Sequence, residues 1–243
     1  MEPLRYKLNH NAITKAEQSA LKHKCVLVAG CGGLGGYVIE YLGRLGVGHI
    51  IAVDGDVFEE SNLNRQLLSS NMNLGKPKVL AAQQRMKAVN PLVTVDAIQD
   101  FLTEDNAAEM MRGCDVVIDA LDNISSRLLL QKAAKEVGIP LVHGAIAGWQ
   151  GQVCTIQPGE DTLNILYGNM EVEKGAEVET GNLPFAAALV ASVQAAEAVK
   201  LLLGRGTINS ELLLIDLLNC IFDNIPLHNE PARPKENLNQ ESL

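Results

Sequence analysis

Residues 26 to 56 read "VLVAGCGGLGGYVIEYLGRLGVGHIIAVDGD". No other stretch limits the fold as tightly: an apolar run, spaced glycines, a helix-length segment, a second apolar run and an acid. Gly30, Gly32 and Gly35 satisfy GxGxxG, with Gly33 and Gly36 as extras. Glycine permits a tight turn between strand and helix, and lets backbone N–H groups approach a phosphate that a side chain would block. The following helix adds a partial positive charge at its N-terminus, which stabilises an anion by about 0.3–1 kcal/mol. Asp54 stands 19 residues beyond Gly35, where a carboxylate can accept hydrogen bonds from ribose hydroxyls. The pattern predicts a nucleotide site without saying which nucleotide.

Further along the chain, strand-like and helix-like segments alternate. Cys25–Ala29, His49–Val53, Leu92–Ala97, Asp115–Asp119 and Pro140–His143 are short β-branched or apolar runs. Leu34–Leu45, Pro77–Val89, Glu104–Arg112 and Ile124–Val137 have helical length and periodicity. Gly151–Gln157 and Glu211–Ile215 read as later strands, separated by a polar stretch and a helix near Leu183–Leu203. The expected fold is therefore α/β: a Rossmann-like, mostly parallel sheet with helices on both faces, extended by C-terminal antiparallel strands. Residues 1–227 are expected to form one domain, and the polar residues 228–243 an extended tail.

Composition narrows the function. A formal net charge of -9 argues against broad binding to nucleic-acid backbone, which needs clustered Lys and Arg. The N-terminus joins no positive residues to an apolar run, so a cytoplasmic setting is expected. The Leu183–Leu203 segment carries Gln194, Glu197 and Lys200, which favours a buried helix over a membrane span. Cys25, Cys31, Cys114, Cys154 and Cys220 show no CxxC spacing, so neither a metal site nor a disulfide framework is expected from them. Beside apolar runs, Cys25, Cys114 and Cys154 read as small buried thiols.

Cations separate the nucleotide readings. Arg65 lies 11 residues beyond Asp54, and Lys78 lies 13 beyond Arg65 at the start of a helix. A dinucleotide does not need cations there, whereas triphosphate chemistry does; each charge-assisted contact contributes about 1.5–3 kcal/mol. On spacing alone they also read as solvated surface charges. In "CDVVIDALDNISSRLLL" a strand runs into Asp119 and Asp122. Acids at such strand ends face the ligand crevice of open α/β sheets, and one of the two could hold Mg2+; Asp122 or Asn123 could equally cap the next helix.

Several ordered motifs then carry a resemblance. The glycine loop, Asp54 and Asp56, SNLNRQ at Ser61–Gln66, GKPK at Gly75–Lys78, NP at Asn90–Pro91, DALDN at Asp119–Asn123 and "PLVHGAIAGWQGQV" at Pro140–Val153 resemble the ThiF/MoeB/HesA family over about residues 5–218. These proteins are bacterial relatives of ubiquitin-activating enzymes. The resemblance implies an adenylyltransferase that uses ATP and Mg2+ to activate the C-terminal glycine of a small ubiquitin-like sulfur carrier ending in Gly-Gly, working as a homodimer. It implies that Gly30, Gly32, Gly33 and Gly35 cradle phosphate, Asp54 holds ribose with Asp56 beside it, Asn62, Arg65 and Lys78 surround the phosphates, and Asp122 positions Mg2+.

Departures from the family pattern have their own implications. The zinc-binding CxxC pairs of many relatives are missing from "GEDTLNILYGN" and "IPLHNEPARPKENL", so no zinc is expected. The crossover "VEKGAEVETGNLPFAAALV" lacks the cysteine that some relatives use after adenylation. Where the family shows RYxRQ, this chain has "RYKLN", with Leu8 in place of the second Arg and with Arg5 or Lys7 as substitutes for it. That keeps a noncatalytic carrier-binding pseudoenzyme as an alternative, with an NAD-binding Rossmann oxidoreductase behind it.

Overall fold

A computed structural model describes residues 3–168, 175 and 177–227. The chain enters through a short 3-10 turn and α1 (Lys15–Leu21), then β1 (Cys25–Ala29), α2 (Gly35–Leu45), β2 (His49–Val53), α3 (Lys78–Val89) and β3 (Thr94–Ile98). It continues with α4 (Ala107–Met110), β4 (Val116–Asp119), α5 (Ile124–Val137), β5 (Leu141–Ala147) and β6 (Gln150–Ile156). The last elements are α6 (Thr162–Tyr167), α7 (Glu177–Thr180), α8 (Pro184–Leu202), β7 (Glu211–Asp216) and β8 (Ile221–Pro226).

All eight strands join one sheet in the order β3-β2-β1-β4-β5-β6-β7-β8. The pairs from β3 to β5 are parallel and those from β5 to β8 antiparallel, as the alternation and the late strands predicted. Successive residues of a strand point to opposite faces, and the core divides accordingly. Val26 and Val28 join a cluster with residues of α2, α3 and α8, while Leu27 and Ala29 join one with residues of α4, α5 and α6.

Local chemistry sets the helix ends. Thr14 and Glu17 form a reciprocal capping box on α1, and the Asn123 side chain accepts from the Ser126 N–H at 2.8 Å to start α5. Helix α8 is apolar and long enough to cross a membrane by composition, but its residues Ala187, Val190, Ala191, Gln194 and Ala198 are buried against the core. That is the buried helix the interrupting polar residues predicted.

The N-terminal "RYKLN" segment is anchored by the NP motif. Asn90 donates to the Tyr6 hydroxyl at 2.9 Å and to the Gly43 carbonyl at 2.7 Å, and it accepts from Arg5 at 2.7 Å. Within this chain Arg5 is therefore tied to the end of α3, and Leu8 is 94% exposed.

Some boundaries differ from expectation. The predicted strand at Leu92 begins instead at Thr94, because Asn90 to Val93 close a turn with a Val93 N–H to Asn90 carbonyl bond. The helix expected over Glu104–Arg112 shrinks to α4, as Asn106 bonds to the backbone of Thr103 and Phe101. Elements α6, α7 and β8 fall where no element was expected. Residues 228–243, read as a tail, and part of the crossover, 169–174 and 176, lie outside the described residues.

Candidate active-site cleft

A cavity of about 360 Å³ opens at the carboxyl ends of the parallel strands, where the strand order switches from β1 towards β4. Open α/β sheets bind ligands at this point. Gly30, Gly32, Gly33, Asp54, Asp56, Arg65, Lys78 and Asp122 all line it. The structure thus gathers eight of the residues singled out in the sequence from five separate segments.

The glycine loop is built by close backbone approach. Gly30 has φ +92, and a Cβ there would lie 2.5 Å from the Ala120 carbonyl oxygen; one at Gly35 would lie 1.8 Å from the Gly30 carbonyl oxygen. Gly35 thus holds strand to helix rather than lining the cleft. Among the described residues no side chain caps the N-terminus of α2, although the Gly36 N–H donates to the Gly32 carbonyl of the loop at 3.2 Å.

Asp54 anchors the turn from below. Its carboxylate accepts from the Cys31 N–H at 2.7 Å and the Asp56 N–H at 2.8 Å. Burial pushes the Asp54 carboxyl above its ordinary value, opposed by Lys78 and these two amides. Lys78, buried to 7% exposure, donates to Asp56 at 2.9 Å and sits 3.9 Å from Asp54. Arg65 uses Nη1 on the Ser61 carbonyl at 3.0 Å and Asn64 Oδ1 at 2.9 Å. Its Nε and Nη2 have no partner among the described residues.

Asn62 is placed differently from the other site residues. It is buried behind the cleft, where its side chain accepts from the Glu59 N–H at 3.0 Å and its carbonyl accepts from the Arg65 and Gln66 amides. It shapes the turn that presents Arg65 and does not line the cavity.

The two acids of "DALDN" divide. Asp119 is fully buried and turned from the cleft, accepting from His143 Nδ1 at 2.7 Å and from the Leu121 N–H at 3.0 Å. Asp122 is exposed on the cleft wall and, among the described residues, receives one long contact, from Asn123 at 3.4 Å. Because Asn123 caps α5, Asp122 is left uncommitted. His143 extends the buried network to the Tyr167 hydroxyl at 3.0 Å; Gln152 and Arg127 also reach that hydroxyl. Burial holds the His143 imidazole below its ordinary value, although Asp119 pulls it up.

The sequence reading did not single out three wall residues. Arg127 is buried and donates twice to the Leu121 carbonyl, at 2.9 and 3.2 Å, fixing the turn that carries Asp122. Gln66 and Asn182 line the cavity, each with a buried side-chain oxygen that has no partner among the described residues. Gln66 could have been found as the residue after Arg65 in SNLNRQ. Asn182 carries no signal in sequence, since the fold alone brings it there. No group of three or more His, Cys, Asp or Glu among the described residues could hold a metal ion.

Fold and cleft together define a doubly wound nucleotide-binding α/β protein with paired cations at its glycine loop. A family model described as the ThiF family matches residues 5–237, and the chain belongs to that family. It is 40% identical over 231 residues to the "Sulfur carrier protein adenylyltransferase" of Thermus thermophilus, covering 89% of this chain and 83% of that one. It is 37% identical over 221 residues to the "SAMP-activating enzyme E1" of Haloferax volcanii, covering 89% and 82%. The "Molybdopterin-synthase adenylyltransferase" of Escherichia coli is 32% identical, with 88% of each chain covered. Among solved structures, E. coli MccB shares the fold with a TM-score of 0.81 at 19% identity, covering 93% of this chain and 70% of that one.

Proposed function

We propose that this chain is an adenylyltransferase that uses ATP to activate the C-terminal carboxylate of a small ubiquitin-like sulfur-carrier protein, releasing pyrophosphate. The observation that carries the reading is the meeting of Lys78 and Arg65 with the glycine loop in one cleft. The named relatives support it, since those at 32–40% identity are adenylyltransferases or activating enzymes by name.

Each residue has a part that its geometry allows. Both Asp54 carboxylate oxygens already accept an amide and retain lone pairs for ribose hydroxyls. Val53, Phe101, Leu102 and Leu121 give the cleft an apolar end suited to the base. A Cβ at Gly33 would meet no protein atom nearer than 3.8 Å, so a phosphate on the loop supplies the reason for glycine there. Lys78 and the unpaired nitrogens of Arg65 offset charge on the transferring phosphate and on departing pyrophosphate. The carrier carboxylate attacks the α-phosphate in line, and the protein's work is positioning. An ionised carboxylate needs no general base.

Asp122 suits Mg2+, an ion that takes one or two carboxylates together with substrate phosphates. When bound, the ion supplies charge neutralisation on the phosphates. The proposal also takes the carrier to end in Gly-Gly, the protein to act as a homodimer without zinc, and the setting to be cytoplasmic. Calorimetric titration tests the nucleotide: ATP with Mg2+ binds and NAD does not, while NAD binding tighter than ATP reverses the assignment.

One observation favours a second reading, a noncatalytic carrier-binding protein. Leu8 stands where the family has Arg, and Arg5, a candidate substitute, is held by Asn90. In that case ATP and carrier bind but no pyrophosphate exchange occurs.

A further inference from the structure

At the opposite end of the sheet from the cleft, four side chains meet that the adenylation reading does not use. Cys25 opens β1, His49 opens β2, Asp96 lies on β3 and Cys114 precedes β4. The two sulfurs are 3.6 Å apart, Cys25 Sγ is 3.4 Å from His49 Nδ1, and His49 Nε2 is 2.8 Å from Asp96 Oδ2. An acid that orients an imidazole against a thiol is the arrangement that activates sulfur nucleophiles. A second thiol within van der Waals reach is the arrangement that resolves an oxidised one.

We propose that Cys25 and Cys114 form a peroxide-reactive dithiol, in which Cys25 attacks, His49 held by Asp96 takes its proton, and Cys114 closes a disulfide. In the first step Cys25 Sγ attacks one oxygen of hydrogen peroxide and the O–O bond breaks. The departing hydroxide takes the proton from His49 and leaves as water, giving the sulfenic acid of Cys25. In the second step Cys114 Sγ attacks Cys25 Sγ, the S–O bond breaks, and hydroxide leaves as water with the Cys114 proton. Two thiols are oxidised, one peroxide is reduced, and two waters are released.

The surroundings distinguish the two sulfurs. Cys25 is half-buried and Cys114 buried. The hydrogen bond with Cys114 is the main influence lowering the Cys25 thiol below its ordinary value, and His49 adds to it; burial, Asp115 and Asp96 oppose. Lys24 pairs with Asp115 at 2.8 Å, which softens that opposition. Cys114 moves the other way, raised by its bond to Cys25 and by burial, so it remains the proton-bearing partner. Closing a disulfide brings the sulfurs from 3.6 Å to about 2.05 Å.

Cys220 provides the control within the same chain, since it is exposed and among the described residues has only a 3.9 Å contact with the Leu217 carbonyl. The test is to treat the folded protein with stoichiometric hydrogen peroxide, block remaining thiols and map the peptides by mass spectrometry. The expected result is a Cys25–Cys114 disulfide, with the loss of two hydrogens, formed before Cys220 is modified. Cys114→Ser should accumulate the Cys25 sulfenic acid, captured by a dione probe. His49→Gln, at a partly exposed position, should slow Cys25 oxidation about tenfold or more below the thiol pKa and move its pH profile upward, with unchanged melting. Consumption of Cys220 as fast as Cys25, or oxidation of Cys25 without a link to Cys114 in the wild type, would overturn the proposal.

Discussion

Asp54 and Asp119 look alike in sequence, each standing where a parallel strand ends beside the switch point, yet they have opposite fates. Asp54 lines the cleft with Lys78 3.9 Å away, while Asp119 is sealed beneath it against His143. The difference comes from what the neighbouring elements contribute. Beside Asp54 stand the glycine loop, which donates only amides, and Lys78 from α3. Beside Asp119 stand His143 on β5 and, beyond it, Tyr167 on α6 and Gln152 on β6. A strand-end acid is thus a ligand group when its neighbours leave lone pairs free, and a structural strut when they do not. Asp122, three residues on, inherits the exposed role because Asp119 and Arg127 hold its turn and Asn123 takes the cap.

The largest effect should come from the groups placed on the reacting phosphates. Asp122→Ala and Arg65→Ala are expected to lower carrier-dependent pyrophosphate exchange about a hundredfold or more, with circular dichroism and melting unchanged. Wild-type exchange in either variant removes that residue from the mechanism.

Exchanging the fates of the two strand-end acids sharpens the contrast. Asp119→Ala strips the acceptor from His143 and from the Leu121 amide, and each buried donor left unpaired costs about 1–3 kcal/mol. Melting should fall by roughly 2–4 °C per kcal/mol in a chain of this size. Asp54→Asn should cost less, because its amide oxygen still accepts from one of the two N–H groups that Asp54 holds and burial already disfavours the Asp54 charge, while weakening ATP binding in calorimetry. Equal destabilisation by both substitutions would erase the distinction.

The smallest effect is a pH dependence confined to the buried network. His143 is held below the ordinary imidazole value of about 6.5 when folded, so below that pH the unfolded chain binds a proton that the folded chain refuses. The stability this group permits is complete above pH 6.5 and is lost as pH falls towards its folded value. His143→Gln should flatten the decline in melting temperature between about pH 7 and pH 5. A decline as steep as in the wild type would place the sensitivity elsewhere.

How much of this was legible in sequence follows from the range of the forces involved. The glycine loop was readable because Gly30 and Gly35 answer to backbone contacts within a few residues or across one strand pair. Strands β1 and β2 matched their apolar runs, since most of their residues are buried. The edge strand β8 was not readable: every residue is exposed, so no alternation marks it, and Pro226 argues against a strand. Helix α6 spans six residues, too few for a period to show. Arg65, Lys78 and Asp122 were placed in the cleft through family motifs rather than spacing. Asp119 could not be separated from Asp122, because the partner that decides between them sits 24 residues away. Cys25 was read as a buried thiol and is half-buried instead, at the opening position of β1, and its neighbours His49 and Cys114 meet it only once the sheet is assembled.

The central claim is that the cleft transfers AMP to a carrier carboxylate, and mass spectrometry of the carrier reads that directly. The protein is incubated with ATP, Mg2+ and a ubiquitin-like sulfur carrier ending in Gly-Gly, alongside the same carrier lacking its last glycine. The account predicts a carrier heavier by one AMP with pyrophosphate released, and no adduct on the truncated carrier. An intact carrier that binds the ATP-loaded protein and never gains AMP would contradict it and make this chain a binding protein.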